Sequence, residues 1–227
     1  MRIDSHQHFS SRYTPEILSS ILARNRFDGS VAVDAADTRG LLALASQHDF
    51  IRGVVGAFDL AMLDEFQRHP KFRGVCARAI PDDVKELERR ALTLDLDVHP
   101  DELADVARLA ERSPTLRIIL VPTEPRPSGS GWSDLAQSPN VFVKLARLGA
   151  NVPLIRPYVQ HLLAVFGPTR LMFGSDWPSA LPDHGWKESL AAFTQAIGAQ
   201  TIETREQLLG GTAVRVYGLE EALVARS

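Results

Sequence analysis

Two short segments near opposite ends of this 227-residue chain hold its most chemically capable side chains: Asp4-Ser5-His6-Gln7-His8, and Phe173-Gly174-Ser175-Asp176-Trp177-Pro178. Each follows an apolar run that reads as a strand. Strand side chains alternate with period two, so His6 and His8 share one face, and a carboxylate from a neighbouring strand completes a three-point polar site. Two imidazoles and a carboxylate suit Zn²⁺ or a similar divalent ion with one position open to water, whose pKa a bound metal lowers toward about 7. A metal-free route is equally open: Asp176 takes a proton from water as general base while the imidazoles orient a substrate carbonyl. Both routes are hydrolytic, and both require the two strands to be neighbours.

The rest of the chain supplies such strands. Apolar runs at Arg2–His6, Ser30–Ala35, Ile51–Phe58, Phe72–Ile80, Leu92–Val98, Leu116–Pro122, Val141–Arg147 and Arg170–Ser175 alternate with helix-period stretches. Those stretches are Pro15–Asn25, Thr38–His48, Ala61–His69, Asp82–Arg90, Pro100–Arg112, Trp132–Gln137, Leu154–Phe166 and Gly185–Gly198. Val/Ile/Leu-rich strands each followed by a helix imply parallel pairing with right-handed crossovers, and eight such units close into an α/β (β/α)8 TIM barrel spanning 1–227 as one domain. Thr14 before Pro15 marks one helix start, and Ser113-Pro114 stops another. Thr201–Leu209 and Thr212–Leu219 read as extra helices covering the outside or the bottom. The Pro/Gly/Ser-rich stretch Pro122–Gly131 is expected to lie irregularly over the mouth. First and eighth strands meet on closure, which brings His6, His8 and Asp176 together.

Active sites of such barrels are built at the carboxyl ends of the strands, which makes Arg78, His99, Thr123, Glu124, Lys144 and Arg147 further candidates. His99 is read as either a site residue or a helix cap, and Trp177 as a pocket wall or an aromatic packed on the outer helix. Asp34, Asp37 and Asp59 read as helix caps. Cys76 reads as a small apolar core residue. His48, His69 and His161 are expected to face solvent, and His184 to sit on a solvated loop.

At 44% hydrophobic residues and net charge −3, the chain carries no basic stretch interleaved with aromatics and no apolar run near the roughly 20 residues of a membrane span. A small-molecule substrate is therefore expected, and neither nucleic acid nor membrane. One cysteine and a start that reads directly as a strand point to a cytoplasmic protein. Nothing in the sequence fixes the oligomeric state.

Arg2-Ile-Asp-Ser-His-Gln-His-Phe9, Ile51-Arg-Gly-Val-Val-Gly-Ala-Phe-Asp-Leu60, Asn140-Val-Phe-Val-Lys-Leu145 and Arg170-Leu-Met-Phe-Gly-Ser-Asp-Trp-Pro178 together resemble the amidohydrolase-related (amidohydrolase 2) family. Within it they are most similar to the sugar-lactone and 2-pyrone-4,6-dicarboxylate lactonase branch. The resemblance implies a (β/α)8 barrel that hydrolyses lactone or amide bonds, with decarboxylation in one related branch. It also implies one divalent metal in some members and none in the pyrone type, with Asp176 activating water and Arg78 and Lys144 as contacts for a substrate anion. Two departures stand out. Gly74-Val75-Cys76-Ala77 replaces a Gly-Val-Arg-His segment, with Arg78 able to restore a guanidinium; and Val121 stands where a histidine is expected after the sixth strand. Hydrolysis of a small anionic lactone or amide is the leading expectation. A ligand-binding barrel without catalysis and a metal-dependent decarboxylase are the alternatives.

Overall fold

A computed structural model of the chain describes residues 1–124 and 130–220. The expected irregular stretch Pro122–Gly131 thus falls partly outside the described residues. Eight parallel strands run in the order of the sequence: β1 (Ile3–Gln7), β2 (Gly29–Val33), β3 (Ile51–Ala57), β4 (Phe72–Ala77), β5 (Thr93–Val98), β6 (Arg117–Pro122), β7 (Val141–Leu145) and β8 (Leu171–Phe173). Between them lie α1 (Pro15–Arg24), α2 (Thr38–Gln47), α3 (Leu63–Phe66), α4 (Lys85–Arg89), α5 (Leu103–Arg112), α6 (Ser130–Leu135) and α7 (Val152–Phe166), and after them α8 (Trp186–Ile197). This is the expected (β/α)8 barrel. Strands such as Ile118-Ile119-Leu120-Val121 are buried throughout, as parallel strands covered on both faces must be.

Alternation along the strands sorts their side chains into two cores. Val31, Val33, Val55, Ile119, Phe142 and Met172 fill the barrel interior with Ile3, while Ala32, Val54, Leu94, Leu96, Leu120 and Val143 face the helices. The C-terminal helices behave as expected with one amendment. α9 (Ile202–Glu206), capped by the Thr201 hydroxyl, runs through a π turn at Gln207–Gly211 into α10 (Thr212–Tyr217). A Cβ on Gly210 would lie 2.2 Å from the Met1 carbonyl oxygen, so only glycine lets this turn press against the amino-terminal strand.

Several elements end earlier than their sequence pattern predicts. β4 stops at Ala77, the last residue paired with β5, leaving Arg78 and Ala79 exposed. β2 stops at Val33, because the Asp34 carboxylate accepts from the Ala36 and Asp37 amides and turns the chain. The stretch expected to be helical over Ala61–His69 is a 3-10 turn at Leu60–Met62 followed by the short α3.

β1 and β8 close the barrel without a regular ladder. One bridge joins Gln7 to Trp177, and the bonds across the seam include the Asp176 amide to the His6 carbonyl at 3.0 Å, the His8 amide to the Trp177 carbonyl at 2.8 Å, and the Ser5 hydroxyl to the Phe173 carbonyl at 2.7 Å.

Candidate active site

The seam between β1 and β8 is where the chemistry gathers. Ile3 belongs to the interior, and strict alternation would send His6 outward with Asp4. A register shift against β2 between Asp4 and Gln7 reverses the parity, as an extra residue in a strand does. Asp4 therefore faces α8, while His6 and His8 turn into a cavity of about 410 Å³ at the carboxyl ends of the strands. Across the seam, a Cβ on Gly174 would lie 2.7 Å from that of His6; glycine there lets the end of β8 close on β1. Asp176 follows with φ +55°, a left-handed conformation rare outside glycine and concentrated at functional sites.

The resulting geometry is compact. Asp176 Oδ1 lies 3.5 Å from His6 Nε2 and 3.6 Å from His8 Nε2, and the two imidazoles meet edge to face with centroids 4.9 Å apart. His8 Nδ1 lies 2.6 Å from the Val33 carbonyl. A carbonyl only accepts, so Nδ1 carries a proton and Nε2 is the nitrogen that faces Asp176. Burial, and then the neighbouring Lys144 cation, holds the His6 pKa well below the ordinary histidine value, so this ring is neutral near pH 7. Both His6 nitrogens and Asp176 Oδ1 are buried without a hydrogen-bond partner.

Buried polar atoms left unpartnered in this way mark a place for something else. Neutral imidazoles and a carboxylate are the donor set of a divalent cation, and with bonds of about 2.0–2.1 Å a tetrahedral ion sets its ligand atoms about 3.4 Å apart, close to the spacings of Asp176 to each histidine. His6, His8 and Asp176 form the one potential cation-holding group among the described residues.

The other expected site residues divide. Arg78 lies at the cavity rim, exposed and without an ion pair among the described residues. Lys144 is fully buried instead of facing substrate: its ammonium lies 2.6 Å from Asp95 Oδ2, beneath the cavity. Trp177 does not wall the cavity either. It is 2% exposed and packs edgewise on Phe9 and Tyr13. His99 caps the turn after β5 through its amide bond to Glu102 and lies 3.2 Å from Asp101 and 3.8 Å from Glu124, away from the cavity lining. Of the expected caps, Asp37 and Asp59 accept helix amides, whereas Asp34 also lines the cavity.

Cys76 sits on the cavity wall rather than in the core. Burial, followed by the Asp95 charge, pushes its thiol up to about 12, which removes it as a nucleophile. The histidines expected at the surface are partly buried: His69 Nδ1 accepts from the Lys71 amide, so its Nε2 donates to the Ser46 hydroxyl, and His48 packs on Phe50.

Two groups carry more of the site than their sequence reading did. Arg147, also left-handed at φ +56°, bridges Asp97 at 3.1 Å and Asp176 Oδ1 at 3.6 Å. Asp95, on the cavity floor, accepts from Lys144 and from the Tyr217 hydroxyl at 2.9 Å. The signal for both aspartates was present in Thr93-Leu-Asp95-Leu-Asp97, where polar residues at alternate positions of an otherwise apolar strand must face inward together. Tyr217, reaching up from α10, left no comparable signal.

Fold and site together define a barrel enzyme whose chemistry sits where the last strand meets the first. The chain belongs to the amidohydrolase family, whose profile matches residues 84–219. An L-fucono-1,5-lactonase from Burkholderia ambifaria is 31% identical over 96% of this chain and 96% of that protein. That alignment spans 283 positions against 227 residues here, so the relative carries segments this chain lacks. A solved amidohydrolase from Burkholderia multivorans with bound zinc superposes with a TM-score of 0.84 at 25% identity, covering 96% of this chain and 99% of that one. A Pseudomonas putida structure described as a 2-pyrone-4,6-dicarboxylic acid hydrolase shares the fold, with a TM-score of 0.72 at 24% identity, covering 96% and 98%.

Proposed function

We propose that this enzyme hydrolyses a small lactone, with Asp176 as the group that takes the proton from the attacking water. The observation that carries this reading is Asp176 Oδ1, buried without a hydrogen-bond partner between two imidazoles at the cavity. The lactonase names of the relatives favour it over a binding barrel or a decarboxylase. Water held against His6, His8 and Asp176 loses a proton to the carboxylate as its oxygen attacks the lactone carbonyl. The ring C–O bond then breaks, and the proton returns from Asp176 to the departing alkoxide, giving a hydroxy acid. Arg147, fixed by Asp97, sets positive charge beside the carboxylate that shuttles this proton.

His6, His8 and Asp176 would hold a divalent cation, and the zinc bound in the similar Burkholderia multivorans amidohydrolase favours zinc as that ion. When bound, such an ion lowers the pKa of water and polarises the carbonyl. The lining carries three carboxylates, Asp34, Asp95 and Asp97, and Arg147 is already paired. Among the described residues of the lining, Arg78 is thus the cation left to receive a substrate anion, the role expected of both Arg78 and Lys144. A reducing, cytoplasmic setting fits the single cysteine.

Asp176→Asn is the direct test. Turnover in a panel of sugar lactones and pyrone carboxylates should fall by at least about 10³-fold, the scale lost with an essential base, while the circular dichroism spectrum stays unchanged. Wild-type turnover in the variant would remove Asp176 from the mechanism.

A further inference from the structure

Asp4 takes no part in the reaction described, yet its carboxylate is wholly buried and fully engaged. Oδ1 accepts the Ser175 amide at 2.9 Å and the His6 amide at 3.3 Å; Oδ2 accepts the Ser175 hydroxyl at 2.6 Å and the Trp186 indole N–H at 2.8 Å. Burial pushes its pKa up, and those donors oppose the rise. The Ser175 hydroxyl in turn accepts from the Trp177 amide at 3.1 Å. Trp186 is clamped between Phe27 and Phe173, with ring centroids at 5.0 and 5.9 Å. One carboxylate therefore ties the residue preceding Asp176, the backbone of His6 and the first turn of α8 into a single knot, at the seam where the barrel has no ladder.

We infer that Asp4 is a positioning residue: its carboxylate clasp holds Asp176 in its left-handed conformation and in register with His6 and His8. The inference rests on the reading of Asp176 as the water-activating or cation-holding residue. A left-handed aspartate is strained and persists only where its surroundings over-determine it. Four donors converging on Asp4, two of them from Ser175, provide that constraint. A generic buried acid would not need donors from both sides of the seam.

Asp4→Asn tests this, because an amide cannot accept on both atoms: its NH₂ must confront either the Trp186 N–H or the Ser175 amide. The crystal structure of the variant should show Asp176 Oδ1 withdrawn from the two imidazoles. Calorimetric titration with Zn²⁺ should show affinity down about 10–100-fold, the range typical for loss of a group that orients metal ligands. Asp4→Asn/Trp186→Phe, which removes one opposing donor, should recover part of that affinity. If Asp4→Asn does not fold, Ser175→Ala deletes the hydroxyl's bonds to Asp4 and to the Trp177 amide while keeping the Ser175 and His6 amides on Asp4, and should show the same withdrawal to a smaller degree. Wild-type placement of Asp176 in a folded clasp variant overturns the inference, whatever its melting temperature. Wild-type protein that takes up no zinc would instead sink the cation reading, leaving the crystallographic comparison to judge the clasp.

Discussion

Replacing Lys144 by methionine should destabilise the protein by about 3–5 kcal/mol, the cost of leaving one buried charge without its partner. The structure selects that range over the near-zero value of a surface ion pair, since the Lys144 and Asp95 side chains are 0% and 2% exposed. With each kcal/mol worth 2–4 °C in a chain of this size, the melting temperature should fall by roughly 10 °C. Deleting both charges in Lys144→Met/Asp95→Leu should restore much of the loss, because a buried pair is often no better than apolar groups of the same volume. The Tyr217 hydroxyl would then lack its acceptor at a cost of about 1–3 kcal/mol, so adding Tyr217→Phe should recover still more. Urea denaturation followed by circular dichroism ranks the three variants. A single variant within about 1 kcal/mol of wild type, or a double variant no more stable than the single, would refute the reasoning and return Lys144 to consideration as a substrate contact.

Cys76 should resist alkylation although it lines the cavity: a thiol pushed up to about 12 ionises so rarely at pH 8 that iodoacetamide should react roughly three orders of magnitude more slowly than with a free thiol of pKa near 8.5. A rate within tenfold of glutathione would contradict this. Gly174→Ala places a carbon 2.7 Å from the His6 Cβ and should cost about 1–3 kcal/mol through overpacking, read as a drop in urea midpoint. Zinc at 100 times its dissociation constant should stabilise the chelator-treated protein by about 2.7 kcal/mol; no shift in melting temperature on addition of zinc would count against the three-residue cation site. Arg78→Ala should raise KM for carboxylate-bearing lactones while leaving neutral ones unaffected, and equal effects on both would deny Arg78 its anion role.

Much of this architecture was legible in the sequence because it depends on periodicity. Parallel strands and their helices write alternation and apolar runs directly into the chain, and strand order alone places His6, His8 and Asp176 together. What that pattern leaves out depends on parity and reach. Strict alternation would put Asp4 on the face of His6, and the register shift in β1 separates them. Lys144 reads as a strand-end cation, yet it sits deep enough to find Asp95, and Trp177 turns toward Phe9 and Tyr13. Arg147 and Tyr217 matter through partners on distant elements, which no local pattern encodes.

The laddered strands β1 to β8 close on themselves through contacts spanning most of the chain, Asp4 and Ser175 being 171 residues apart. Closing so long a loop is entropically costly and slow, so during synthesis the first strand must wait, imidazoles in place, until nearly the whole polypeptide has emerged. Every prematurely terminated product lacking the segment around Asp176 leaves the two imidazoles without the carboxylate that faces them. The meeting of these three side chains thus marks the moment at which the ring of strands has been completed.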